Sequence, residues 1–89
     1  QQYKAKSQLE LNKTNRQLKD AENKVNLSKL ALEQSQEAYR IRSNRFTQGL
    51  EKTTDLLQSE TLMFQKELEF LQAVFEYNFT QNYLHFLTK

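Results

Sequence analysis

Hydrophobic residues recur every seven positions along two segments of the chain. The first series is Leu11, Leu18, Val25, Leu32, Tyr39 and Phe46. The second series is Leu56, Met63, Phe70, Tyr77 and Leu84. A seven-residue repeat of apolar positions is typical of coiled-coil helices, because it keeps one stripe of each helix against its partner. The pattern predicts an all-α fold with helices over about residues 3–47 and 53–87, paired as an antiparallel two-helix hairpin.

Both helices carry further residues that suit packing. Three positions after the first four members of the first series stand small residues: Thr14, Ala21, Ser28 and Ser35. A second, partial stripe on this helix contains Leu27, Ala31, Ala38 and Ile41. A broader stripe on the second helix contains Leu57, Phe64, Leu68, Leu71, Phe75, Phe79 and Phe86. A lone hairpin covers one stripe of each helix, so we expect the isolated chain to associate with itself through the others.

The predicted turn at residues 48–52 contains Gly49, the only glycine of a chain without proline. Glycine readily adopts the left-handed conformation that ends many helices, and Leu50 is expected to pack back on the last turn. Three arginines lie near the negative end of the helix dipole: Arg40, Arg42 and Arg45. Thr53 is the expected N-cap of the second helix, with Asp55 in its first turn.

The composition supports one helical domain over residues 1–89. It also argues against some classes of function. The 89 residues are 37% hydrophobic and 27% charged, and none is cysteine. No apolar run reaches the roughly 18 residues that span a bilayer. The net charge is +5 over residues 1–46 and −3 over residues 47–89, which favours packing of the two segments side by side. The overall charge of +2 is too small to indicate nucleic-acid binding. Because the chain opens with Gln-Gln-Tyr, we expect a piece of a longer protein.

Candidate chemistry is sparse. No Ser/His/Asp set, glycine-rich phosphate loop or carboxylate pair in a pocket can be assembled. His85, the only histidine, lacks a convincing second ligand one turn away and is interpreted as a boundary residue of an aromatic helix. We therefore expect no enzyme activity, no cofactor and no metal site.

The residues around the turn resemble a known family. Residues 45–57 are similar to the R-[YF]-x-x-G-x-x-x-x-x-D-L-L signature of TolC-type outer-membrane efflux proteins. The matching positions are Arg45, Phe46, Gly49, Asp55, Leu56 and Leu57. The preceding Glu37-Ala38-Tyr39-Arg40 resembles the family's EAYR segment. Ala73-Val-Phe-Glu-Tyr77 resembles its A-x-[YF]-[DE]-Y segment, at the expected separation. The resemblance covers nearly the whole chain and is strongest over residues 30–88.

The resemblance implies a role in export from a Gram-negative-type bacterium. Members are trimeric channels with an outer-membrane barrel and a periplasmic tunnel built from helical hairpins. This chain resembles the second hairpin, whose turn lies at the periplasmic tip and docks a periplasmic adaptor protein. An inner-membrane transporter drives drugs or other cargo into that assembly. The strands of the barrel and the first hairpin are not in this sequence, so it is not expected to span the membrane itself.

The same resemblance assigns roles to individual residues. The expected adaptor contacts are Arg45, Phe46, Thr47, Gln48, Gly49 and Leu50. Asp55 matches an acidic position that faces the pore, where three copies would form a carboxylate ring that attracts cations. Gln58 stands at a second pore position that is often acidic in the family, and this departure weakens the expected ring. Glu51 replaces a basic residue that latches the closed tip in some members, so that latch is not transferred.

The alternative is a free-standing coiled-coil interaction module, such as the hairpin of a periplasmic adaptor. It explains the heptads and the charge division equally well. It does not predict the arginine, glycine and aspartate pattern of the turn, nor an apolar stripe on the outer face of both helices.

Overall fold

Two long helices account for almost all of the chain. The computed structural model describes residues 2–88, with side chains from residue 8 onward. Helix α1 runs over Gln2–Thr47 and helix α2 over Thr53–Thr88, with residues 48–52 between them. The helices pack side by side in a rod of 71 × 16 × 13 Å, which confirms the predicted all-α antiparallel hairpin. Within the described residues, neither helix combines the length and apolar character needed to cross a membrane.

The seam between the helices is built on small side chains. Among residues 8–88, the four most buried are all small: Ala73 at 0% exposed, Thr14 at 3%, Ser35 at 7% and Ser59 at 9%. Members of the two heptad series flank them and are half-buried, apart from Phe46 at the turn, which is 40% exposed. Small residues let the two backbones approach closely, so the large ones pack across the sides of the seam.

Two of the buried hydroxyl groups in the seam are satisfied within their own helix. The Thr14 hydroxyl donates to the backbone carbonyl of Glu10 at 2.8 Å, and the Ser35 hydroxyl donates to that of Leu32 at 2.7 Å. Bonds of this kind let serine and threonine enter an apolar seam without an unpaired polar atom. No buried side-chain nitrogen or oxygen lacks a partner between residues 8 and 88.

Polar contacts align the two helices. Lys24 of α1 and Glu76 of α2 form an ion pair at 3.1 Å, and the Tyr39 hydroxyl donates to the Glu60 carboxylate at 3.4 Å. Both partners of the ion pair are more than half exposed, so the pair contributes about 0.2–1 kcal/mol. These contacts agree with the opposite net charges of the two segments and set register more than stability.

The outer faces are left uncovered. On α2 the seven members of the broad apolar stripe, which we call the outer stripe of α2, are between 54% and 72% exposed: Leu57, Phe64, Leu68, Leu71, Phe75, Phe79 and Phe86. On α1, Leu27 is 68% exposed and Ile41 is 43% exposed. The hairpin therefore buries one face of each helix and presents a second apolar face to its surroundings.

Candidate functional site at the hairpin tip

The end of α1 has the backbone geometry of a Schellman motif. The Leu50 amide donates to the carbonyl of Arg45 at 2.8 Å, and the Gly49 amide donates to that of Phe46 at 2.9 Å. Gly49 has a φ of 76°, the left-handed conformation that this motif requires at its turning residue. The glycine therefore ends the helix and reverses the chain, as the sequence predicts.

The tip is an exposed surface. All six residues expected to contact an adaptor, from Arg45 to Leu50, are exposed. The expectation that Leu50 packs back on α1 is wrong, because its side chain is 72% exposed. Its amide closes the motif while the side chain extends from the end of the rod. Phe46, 40% exposed, adds a second apolar group to this surface.

Glu51 holds the turn against α1. Its carboxylate accepts a hydrogen bond from the Arg42 guanidinium at 2.8 Å, and the Arg45 guanidinium lies 4.0 Å from its other oxygen. The Glu51 side chain is only 9% exposed, whereas the two arginines are 46% and 62% exposed. We call this arrangement the Glu51 clasp. The sequence analysis did not predict the Glu51 clasp. The pattern that could have indicated it is an acid two residues after the glycine, with Arg42 and Arg45 before the glycine.

The arginines near the turn therefore have different partners. Arg45 is the one basic residue in the last turn of α1. Arg40 lies further back and forms a two-pronged hydrogen bond with Glu37, at 2.6 and 3.1 Å. This bond, together with the positive charge of Arg40, holds the pKa of the Glu37 carboxyl below its ordinary value. The prediction that Arg40 acts on the helix dipole is replaced by this local pair.

Helix α2 begins at Thr53, and its N-cap lies one residue before the cap that the sequence predicts. The carbonyl of Lys52 accepts the first helical hydrogen bond, from the Leu56 amide at 3.1 Å. Because the N-cap is the residue whose carbonyl accepts that bond, Lys52 is the N-cap and Thr53 is the first helical residue. Asp55 lies in the first turn, as predicted, where a carboxylate opposes the positive end of the helix dipole.

The two expected pore-facing residues line one shallow cleft beside the tip. Asp55 is half-buried and Gln58 is exposed. They share a cleft of about 260 Å³ with Arg42, Ser59 and other residues of both helices. Asp55 therefore lines the same cleft as Arg42, the α1 residue that also binds Glu51.

The described residues do not assemble a metal site. Among residues 2–88, no three histidine, cysteine, aspartate or glutamate side chains lie close enough to hold an ion. His85 instead lines an open cleft of about 360 Å³ at the far end of the seam, beside Leu11 and Leu18. What the tip can do chemically is to present arginine, amide, hydroxyl and apolar groups to a macromolecular partner.

Comparisons with family models, with characterised proteins and with solved structures found no match to this chain.

Proposed function

We propose that this chain is one hairpin of the periplasmic tunnel of a trimeric outer-membrane export channel, and that its turn docks a periplasmic adaptor protein. The proposal starts from the motif around Arg45, Gly49 and Asp55. The observation that carries it is a rod 71 Å long with an exposed, backbone-fixed tip and an apolar face on its outside. A tunnel wall needs helices that pack on two sides, and an adaptor needs an accessible end.

The tip is suited to docking because its shape is set before any partner arrives. The Schellman motif fixes the backbone around Gly49, and the Glu51 clasp fixes the following segment against α1. A preorganised surface binds more tightly, because less conformational entropy is lost on association. Phe46 and Leu50 would supply apolar contacts, while Arg45 and Gln48 would supply hydrogen bonds.

The flanks are suited to a tunnel wall. Each helix uses its seam face within the hairpin and keeps another apolar face for a neighbouring hairpin. In a ring, that neighbour would cover the side chains that the isolated hairpin leaves more than half exposed. In this arrangement Asp55 and Gln58 would face the lumen near the entrance, and three Asp55 carboxylates would favour the passage of cations over anions.

Photocrosslinking in the native host tests the docking role. A photoreactive residue replaces Gln48 at the tip, and the matched control carries it in place of Gln34, an exposed glutamine of α1 about four helical turns before the tip. We expect the Gln48 variant to form an adduct with a periplasmic adaptor and the Gln34 variant to form little or none. Equal capture at both positions, or capture of no adaptor, would contradict docking through the tip.

The pore-facing assignment has a separate test. In single-channel recordings on the assembled channel, Asp55→Asn should lower the preference for cations, and the nearby Thr54→Ser should leave it unchanged. An unchanged reversal potential in the Asp55 variant would mean that this residue only stabilises the start of α2.

The photocrosslinking experiment also distinguishes the alternative. If the Gln48 adducts contain a separate outer-membrane channel protein that does not include this chain, the chain belongs to the alternative class, an adaptor hairpin.

A further inference from the structure

Between residues 42 and 55, the exposed charged side chains are all basic. They are Arg42, Arg45 and Lys52. The two acids of this segment are less accessible, because the Glu51 side chain is 9% exposed and Asp55 is half-buried in the cleft beside the tip. The negative end of the α1 dipole and the positive end of the α2 dipole meet here, so their effects oppose each other. The surface that a partner meets at the tip is therefore positively charged.

The two arginines of the Glu51 clasp differ in how their donors are used. The Arg42 guanidinium donates a hydrogen bond to one Glu51 oxygen at 2.8 Å. The Arg45 guanidinium lies 4.0 Å from the other oxygen, which is too far for a hydrogen bond. A guanidinium has five N–H donors, and the Arg45 side chain is 62% exposed. Arg45 therefore presents donors to a partner, whereas Arg42 is engaged by Glu51.

Apolar side chains stand beside the Arg45 guanidinium. Phe46 follows it in the chain and is 40% exposed. Leu50 is joined to the same turn, because its amide donates to the Arg45 carbonyl at 2.8 Å, and its side chain is 72% exposed. A partner that covers these two side chains also displaces water from around the guanidinium. An ion pair formed there is stronger than one in open water, because the local dielectric is lower.

We propose that the tip recognises a carboxylate on its protein partner, and that Arg45 binds this carboxylate. A guanidinium and a carboxylate fit through two parallel N–H···O bonds, so the arginine also fixes the orientation of the partner. The docking segment of the partner then carries an aspartate or glutamate beside an apolar side chain that packs on Phe46 and Leu50. This inference rests on the proposed function, because it names the chemistry by which the tip selects its adaptor.

Glu51 serves as a positioning residue in this contact. Its carboxylate occupies Arg42 and attracts the Arg45 guanidinium toward the turn without taking a hydrogen bond from it. Because the Glu51 side chain is only 9% exposed, it lies behind the surface where the partner's carboxylate arrives. The clasp thus leaves one arginine of the pair to form the contact, which makes the recognition specific for one position.

Removal of the Arg45 charge in the native host tests the contact. The photoreactive residue at position 48 reports docking, and we expect Arg45→Gln to lower the yield of adaptor adduct at least about fivefold. Arg40→Gln is the matched control, because the Arg40 side chain is also 62% exposed and undergoes the same chemical change. It should leave the yield unchanged.

The outcomes of this experiment separate the two proposals. An unchanged yield of adaptor adduct in the Arg45→Gln protein overturns the carboxylate contact and leaves docking through the tip intact. Failure to capture an adaptor even when Arg45 is present contradicts the proposed function, and the carboxylate contact with it.

A carbodiimide crosslink tests whether the partner's group is a carboxylate, because this reagent forms an amide between a lysine amine and a carboxylate in contact with it. In the Arg45→Lys protein we expect a product that joins position 45 to an aspartate or glutamate of the adaptor, located by mass spectrometry. The Arg40→Lys control should give no such product. Only products between different proteins are counted, because Glu51 and Glu37 lie near these positions within the chain. Photocapture of the adaptor in the Arg45→Lys protein without the carboxylate product would contradict the proposal.

Reciprocal charge exchange distinguishes direct contact from damage to the tip. Arg45→Glu alone should abolish most adaptor capture, because it places a negative charge opposite the partner's acid. When the adaptor's crosslinked acid is changed to arginine in the same strain, we expect capture to recover to at least about half of its original yield, since the pair is restored with reversed signs. Recovery would show that the Arg45→Glu tip is still folded. No recovery would overturn the assignment of Arg45 as the carboxylate-binding residue.

Discussion

The two apolar faces of α2 differ in side-chain size, in exposure and in period. The seam face places Ala73 and Ser59 at its most buried points, 0% and 9% exposed, and repeats every seven residues. The outer face carries leucine and phenylalanine that are more than half exposed, and six of its seven members fall into two series spaced by eleven residues: Leu57, Leu68 and Phe79, and Phe64, Phe75 and Phe86. The hairpin therefore buries one apolar face of α2 and leaves a second one exposed. Close backbone approach selects small residues at the centre of the seam, whereas the large side chains of the outer face remain exposed.

Enlarging a seam residue should have the largest effect on the fold. Ala73→Leu places a large side chain where the backbones are closest, and we expect a loss of about 1–3 kcal/mol in the free energy of unfolding. Phe75→Ala removes a side chain that is 71% exposed and should change that free energy by less than about 0.5 kcal/mol. Urea unfolding followed by circular dichroism at low concentration measures both. If Phe75→Ala lowered the free energy of unfolding more than Ala73→Leu does, the outer face and not the seam would be the face that stabilises the hairpin.

Changing the turning residue should have the next largest effect. At Gly49 an added Cβ meets nothing within 4 Å, so the cost of Gly49→Ala comes from the left-handed backbone alone, about 1–2 kcal/mol. Asparagine tolerates that conformation better, so Gly49→Asn should cost less. The same urea unfolding experiment compares them. Equal stability of the glycine and alanine proteins would mean that the chain does not use a left-handed residue here.

Opening the Glu51 clasp should cost less again. Glu51→Gln removes the charge from a carboxylate that is 9% exposed and bound to Arg42, and we expect a loss near the upper part of the ~0.2–1 kcal/mol range for ion pairs. Glu69→Gln breaks a more exposed pair, with Lys66 within α2, and serves as the control with a smaller expected loss. Thermal unfolding at low salt measures the loss of stability in each variant. A larger loss for the control would show that the clasp does not stabilise the turn.

The smallest effect is expected at the Glu37–Arg40 pair on the surface of α1. Arg40→Gln removes the cause of the lowered pKa, so the pKa of the Glu37 carboxyl should rise toward its ordinary value. Because the folded pKa is depressed, the pair contributes above the unfolded pKa and its contribution is lost as the pH falls through the folded one. Carboxyl chemical shifts in an NMR titration report this change. An unaltered Glu37 pKa in the variant would show that the pair is not formed in solution.

The heptads and the solitary glycine predict much of the fold because both follow from the chain itself. A repeat of seven specifies which face of each helix is buried, and Gly49 specifies where the chain can reverse. The repeat does not specify how closely the backbones approach, so the small residues of α2 at Ser59 and Ala73 were not singled out. They stand three positions after Leu56 and Phe70, the spacing already noticed in α1.

The tip was harder to predict because its details depend on local geometry. Whether Lys52 or Thr53 caps α2 is decided by which carbonyl accepts the first helical bond, and propensity alone favours threonine. Whether Leu50 packs back or extends outward depends on where the Schellman turn directs it. The Glu51 clasp requires side chains from both sides of the turn to meet in space, a distance that sequence spacing does not determine.

The central claim is that the chain folds back at Gly49. Double electron–electron resonance tests it by measuring the distance between spin labels placed at Asn15 and His85. Both residues line the same cleft at the far end of the seam. The labelled protein is diluted in unlabelled protein so that only distances within one chain contribute. With helix axes about 8–10 Å apart, the hairpin predicts a distance of roughly 10–25 Å. An uninterrupted helix of seventy residues would place the labels about 105 Å apart, and loss of the short distance would contradict the account.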